Sequence, residues 1–143
     1  MLDIIPLISS AIYFGSAAYI TLVEHPARIA CSPEIAWAQW AQSVKRTPRY
    51  AASAIVAAVT ALIYGKAALA SPWTWGSILL LAVLPFTAAV LLPIQRQVTE
   101  SGRAFEPVEA RTVLERWGRL HLVRTCLGLC AFMLFLWQAL KAQ

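Results

Sequence analysis

Charge is scarce in this chain. Only 13% of its residues are Asp, Glu, Lys or Arg, against roughly 25% in a soluble domain. Cysteine is sparse as well. Cys31, Cys126 and Cys130 show no zinc spacing, and three thiols cannot all pair, which excludes a disulfide framework. Histidine is rarer still, with His25 and His121 alone. The sequence holds no phosphate-binding glycine loop, no nucleophile elbow and no nucleic-acid-binding module. Apolar residues are what it has in quantity: 59% are hydrophobic, which excludes a disordered chain. A net charge of +5 over 143 residues suits a nucleic-acid or membrane partner, and long apolar runs decide for the bilayer.

Four such runs are present, at residues 4–23, 50–70, 73–93 and 120–140. The first carries no charge and, as a helix of about twenty residues, matches the hydrocarbon thickness of about 30 Å. It lacks the basic start of a signal peptide and reads as a retained span. In the second, Lys66 snorkels from near the end. Thr47-Pro48 and Ser71-Pro72 read as N-cap and first helical residue of spans two and three. Pro85 should kink the third helix. Amphipathic segments are expected at 33–46 and 107–119, the second running on into span four. The fold class is therefore all-α: one integral-membrane four-helix bundle with amphipathic interfacial helices in its two long loops.

Ten of the 12 basic residues fall on one side. Arg28, Lys45, Arg46, Arg49, Arg96, Arg103, Arg111, Arg116, Arg119 and Arg124 lie in or beside the long loops, against Lys66 and Lys141 opposite. The long loops are then cytoplasmic and both termini lie outside the cytoplasm, as in a bacterial inner membrane. Trp37, Trp40, Ala41 and Val44 share one face of the first amphipathic helix, and the expected role of these tryptophans is interfacial anchoring.

The same topology collects polar residues at one mouth of the bundle. His25 ends span one, His121 begins span four, Gln95 and Arg96 end span three, and Arg49 and Tyr50 begin span two. At 100° per residue, Trp117, Arg124 and Gly128 all lie within about 60° of His121, whereas Cys126 points elsewhere. An arginine facing lipid costs about 2.5–3.5 kcal/mol near the bilayer centre, so Arg124 should face the interior. Pro26 should end or kink the first helix at His25. Glu24 is then free to pair with Arg124 or Arg49, and Phe14, Ala18 and Thr21 lie on the His25 side of the span. Two histidines and a carboxylate also suit iron, zinc or a bis-His haem, although no local ligand spacing supports a metal.

Two stretches resemble a known family. Tyr19-Ile20-Thr21-Leu22-Val23-Glu24-His25-Pro26-Ala27-Arg28 is similar to the V-E-H-P-x-R signature of the anthrone oxygenase family of small membrane proteins. Trp117-Gly118-Arg119-Leu120-His121-Leu122-Val123-Arg124 matches that family's W-x3-H-x2-R pattern. Pro93-Ile94-Gln95-Arg96 follows the family's third-span ending with Gln95 where Asn is usual. The resemblance implies a four-span protein that oxidises an anthrone, a tricyclic aromatic ketone, to the quinone with O2 and without a metal or organic cofactor. It makes His121, Arg124, His25 and Glu24 the candidate catalytic residues. Trp117, Gln95 and Tyr50 become the candidate substrate contacts.

Three functions follow as expectations. A cofactor-independent oxygenase needs a pocket lined by His25, Trp117, His121 and Arg124 for a lipophilic aromatic substrate. A non-catalytic membrane module, either a small-molecule binder or a subunit of a complex, needs those groups fully paired and no cavity. A haem or iron protein needs His25 and His121 close together. The partners expected are the bilayer and a lipophilic small molecule, with no nucleic acid and with a homo-oligomer left open.

Overall fold

The computed structural model describes residues 4–46, 48–99 and 106–141, with side chains for 4–46, 51–96 and 106–141. The expected cap at Thr47 and the substrate contact at Tyr50 lie outside the described residues and side chains. Helix α1 (Ile4–Tyr19) passes through a π-turn, Ile20–Glu24, into α2 (His25–Ala30). Helix α3 (Pro33–Val44) and α4 (Pro48–Tyr64) follow. Helix α5 (Pro72–Phe86) passes through a second π-turn, Thr87–Leu91, into α6 (Leu92–Thr99), and α7 (Pro107–Lys141) ends the described chain. No strand occurs among the described residues.

The long helices are built inside out relative to those of a soluble domain. Ile8, Ile12, Leu22, Leu122, Met133 and Trp137 are exposed. Ser10, Thr74, Ser77, Thr125, His121 and Arg124 are buried. Water penalises that arrangement and lipid favours it. Ile4–Ala30, Pro72–Arg96 and Pro107–Lys141 are each long and apolar enough to cross a membrane, while Ala51–Tyr64 is a shorter apolar helix. The chain is thus an all-α membrane protein whose helices pack as a bundle.

Small residues set how closely the helices approach. Helix α4 buries Ala54, Ala57, Ala58 and Ala61, and it packs on α1 and α5. The buried Ser77 hydroxyl on α5 lies 2.9 Å from the Ala58 carbonyl of α4 and 2.8 Å from the Trp73 carbonyl of its own helix. Helix α7 completes the packing against α1 and α5. At Gly76 an added Cβ would lie 2.3 Å from the Phe135 ring, so only glycine admits that aromatic. The α4–α5 turn places Lys66 and Ala67 at φ of 50° and 51°, a left-handed pair that reverses the chain before Pro72.

Two expectations about helix α1 change here. Pro26 does not end the helix at His25: helical structure continues to Ala30, with Pro26 in the first turn of α2. The π-turn just before it also shifts the helical phase. Tyr13 and Ala17 are fully buried, and Gly128 of α7 lies against the Tyr13 ring. Of the expected Phe14, Ala18 and Thr21 face, Thr21 does lie beside His25 on one groove, whereas Phe14, before the π-turn, stacks on Phe132 with centroids 6.0 Å apart. Around Pro85 the helix regains its ladder through the second π-turn, two residues on.

Candidate functional site

Two apolar clusters fill the bundle. One surrounds Tyr13, Trp73, Leu80 and Phe135. The other gathers Ile20, Ala36, Trp40, Leu91, Ile94, Leu114 and Trp117. The second holds the candidate site. Helix α7 supplies Trp117, His121 and Arg124 from one continuous face, all buried, because residues four and three apart lie on the same side of a helix.

The rings form a short ladder. His25 lies 5.5 Å from Trp117, and Trp117 lies 4.8 Å from His121, centroid to centroid. Trp40 of α3 meets Trp117 edge-on at 5.6 Å. The Arg28 guanidinium stands 5.7 Å from the Trp117 ring centre, within cation–π range. Trp40 is fully buried, so its role is packing over the site; the expectation of an interfacial anchor is corrected. The reason is helical phase: Ala36 and Trp40, four apart, face the bundle together.

Glu24 does not reach toward α7. Its Oε1 accepts from Arg28 Nη2 at 2.5 Å, from Gln39 Nε2 at 2.9 Å and from the Ser43 hydroxyl at 2.9 Å. Arg28 Nε also donates to Gln39 Oε1. These bonds fasten α3 to the end of the first helix, in place of the expected pairing with Arg124; the side chain of Arg49, the other expected partner, lies outside the described residues. The Glu24–Arg28 spacing is the helical i, i+4 ion pair, a signal present in the sequence. Gln39 and Ser43 sit on another element and carried no such signal.

His121 is 1% exposed. Its Nδ1 lies 3.1 Å from the Thr21 hydroxyl, which is 2.8 Å from the Thr125 hydroxyl. Thr125 Oγ1 also lies 3.3 Å from the Ala17 carbonyl and 3.4 Å from that of His121. His121 Nε2, His25 Nδ1 and Trp117 Nε1 are buried with no hydrogen-bond partner among the described residues. Gln95 is buried on α6, beside Ile94 of the same cluster. Sequence reasoning placed Thr21 near the site but gave no role to Thr21 or Thr125.

A groove of about 380 Å³, within the range of small-molecule sites, opens on Thr21, His25, Glu115, Gly118, Arg119 and Leu122. His25 is the member of the expected pocket that lines it; Trp117, His121 and Arg124 lie behind. Gly118 leaves room there for the His25 ring, since a Cβ would come 2.1 Å from His25 Nε2. No group of three or more His, Cys, Asp or Glu side chains is gathered among the described residues. Cys126 and Cys130 are exposed on the face away from His121.

The anthrone oxygenase family model matches residues 37–134, and the chain belongs to that family. The match takes in Gln95, Trp117, His121 and Arg124, and begins after Glu24 and His25. No curated protein and no solved structure matches the chain.

Proposed function

We propose that this protein is a cofactor-independent membrane oxygenase that converts an anthrone-like polycyclic ketone into its quinone with O2. One observation carries the reading. His121 Nε2 is buried without a hydrogen-bond partner among the described residues, against Trp117 and one helical turn from Arg124, while Nδ1 is held by Thr21. An imidazole so placed is a general base, and a guanidinium beside it stabilises the oxyanion that proton loss creates.

The methylene of an anthrone is acidic because its anion spreads over the ketone and two aromatic rings. His121 takes one proton, and Arg124 holds the enolate oxygen. The anion gives one electron to O2, the radical pair closes to a carbon-bound peroxide anion, and this takes up the proton abstracted by His121 to become the hydroperoxide. Loss of water then breaks the O–O bond and the remaining C–H bond. One oxygen atom ends in the new carbonyl and the other in water. Substrate and O2 supply all the electrons, so the scheme calls on no metal or organic cofactor.

In this reading the flat substrate enters from the bilayer through the groove at Thr21, His25 and Gly118, and stacks on Trp117. Gln95 and Tyr50 contact its oxygen substituents. His25, half-buried on the groove, relays the abstracted proton from His121 to the peroxide, and Glu24 holds α3 over the site. Ala51–Tyr64 acts as the fourth span, with the long loops in the cytoplasm of a bacterial inner membrane. The non-catalytic alternative expects fully paired polar groups; His121 Nε2 and His25 Nδ1, without a hydrogen-bond partner among the described residues, favour the catalytic reading.

The test is oxygen uptake by detergent-purified, chelator-treated protein with a hydroxylated anthrone, beside His121→Ala. Uptake above buffer that the variant loses is the expected result. Equal rates for protein, variant and buffer remove the anthrone reading for that substrate. A coloured or metal-loaded preparation that loses activity on chelation moves the assignment to the haem or iron alternative.

A further inference from the structure

The hydroxyls behind His121 can be counted, and the count fixes a proton. Thr125 Oγ1 has one hydrogen and three neighbours: Thr21 Oγ1 at 2.8 Å and the carbonyls of Ala17 and His121 at 3.3 and 3.4 Å. A carbonyl only accepts. If Thr125 donates to a carbonyl, it must accept from Thr21. The Thr21 proton is then committed, so Thr21 must accept from His121 Nδ1–H. All three protons find acceptors, and His121 Nε2 is left as a bare lone pair.

The reverse chain is poorer. Thr125 would donate to Thr21 and Thr21 to Nδ1, which leaves the Thr125 contacts with both carbonyls without a proton. It would also place the imidazole hydrogen on Nε2, which is buried and has no hydrogen-bond partner among the described residues. Among backbone groups, buried unpaired N–H donors are rarer than under-satisfied acceptors, and a stranded imidazole N–H carries the same desolvation cost. The first chain makes three bonds and strands no donor.

We propose that Thr21 and Thr125 are positioning residues whose hydroxyl chain, ended on a backbone carbonyl, holds His121 as the Nδ1–H tautomer with Nε2 open as the proton acceptor. The assignment of His121 as the base rests on the oxygenase reading; the tautomer does not. The π-turn at Ile20–Glu24 carries Thr21, and such turns recur at functional sites. An isolated imidazole has no such restraint and samples both tautomers.

Nitrogen NMR of side-chain ¹⁵N-labelled histidine in full-length protein at neutral pH tests this. The chain has two histidines, and the His25→Gln spectrum assigns them. The expected result is His121 with Nδ1 protonated and Nε2 bare. Thr125→Val should move the proton to Nε2 or mix the tautomers, because Thr21 can then turn its hydrogen to Nδ1. Thr125→Ser should keep the wild-type pattern. Under the oxygenase reading, oxygen uptake falls about 10²-fold or more in Thr125→Val and survives in Thr125→Ser, as a wrong tautomer of a catalytic imidazole implies. A wild-type His121 carrying its proton on Nε2, or on both nitrogens, overturns the proposal, and so does a Thr125→Val spectrum identical to wild type. If Thr125→Val does not fold, the wild-type and Thr125→Ser spectra still decide. An Nδ1–H tautomer with no oxygen uptake sinks the oxygenase reading and leaves the tautomer standing.

Discussion

His25 and Gly118 occupy one space between two helices: a Cβ on residue 118 would fall 2.1 Å from the imidazole Nε2. The atom in the way is the end of a rotatable side chain. Gly118→Ala should therefore displace His25 from Trp117 rather than unfold the bundle. The expected stability change is under about 1 kcal/mol, since helix propensity favours alanine, while oxygen uptake falls several-fold. Gly76→Ala is the contrast, because Phe135 is fully buried and cannot give way. Overpacking there should cost about 1–3 kcal/mol. Thermal unfolding in detergent beside uptake rates separates the two cases.

Glu24 accepts three bonds from two helices, so its removal should loosen α3. Hydrogen bonds to a charged group are worth about 1.5–3 kcal/mol each in context, and Glu24→Ala should lose an amount in that range, discounted for the carboxylate's partial exposure. Limited proteolysis should then cut within residues 31–46 before any other described segment. A Glu24→Ala protein with unchanged cleavage would show that α3 is held by its tryptophans alone.

Trp40 divides packing from anchoring. A side chain fully buried against Trp117 should cost about 3–5 kcal/mol on replacement by alanine. A surface anchor would cost within about 0.5 kcal/mol. Trp40→Phe should keep most of the stability. Denaturation midpoints of the two variants in one detergent give the answer.

Arg124 is buried on the His121 face of α7. If it holds the enolate oxygen, Arg124→Lys should lower kcat by about 10²–10³-fold with little change in KM, the pattern of a lost transition-state contact. A rise in KM at constant kcat would instead make Arg124 a binding residue.

Membrane orientation is checked at Cys31, which is exposed between α2 and α3. In a Cys126→Ser/Cys130→Ser background, a membrane-impermeant maleimide should label Cys31 in inverted vesicles and not in right-side-out cells. The opposite pattern would reverse the topology drawn from the arginine count.

The face of α7 was legible because its period is undisturbed: Trp117, His121, Arg124 and Gly128 are all buried, as 100° steps require. The family was legible in the same residues. Trp40 was misread because a tryptophan stripe beside basic residues looks alike whether it meets lipid or another helix. Glu24 was misread because two of its three partners, Gln39 and Ser43, sit on α3, whose docking no local spacing announces, and the i, i+4 spacing to Arg28 was passed over. The role of Thr21, though its side of the helix was legible, and the whole part of Thr125 stayed hidden for the same reason. A threonine in an apolar helix is unremarkable until the opposing helix supplies a second one 2.8 Å away.

The turn at Ile20–Glu24 holds one residue more than an α-helix would use, and that surplus decides which chemistry the helix shows its neighbours. In unbroken 100° steps, Glu24 falls about 20° from Tyr13 and His25 about 120° away. The surplus swings His25 onto the α7 side and sends the carboxylate out toward α3. Deleting a single residue there would close the turn to α geometry and leave His25 eleven steps, or about 20°, from Tyr13; only regularising the turn with every residue kept would trade imidazole for carboxylate opposite Trp117. The imidazole therefore owes its inward position to the surplus residue, and a substitution that closed the turn at constant length would turn the reactive group outward.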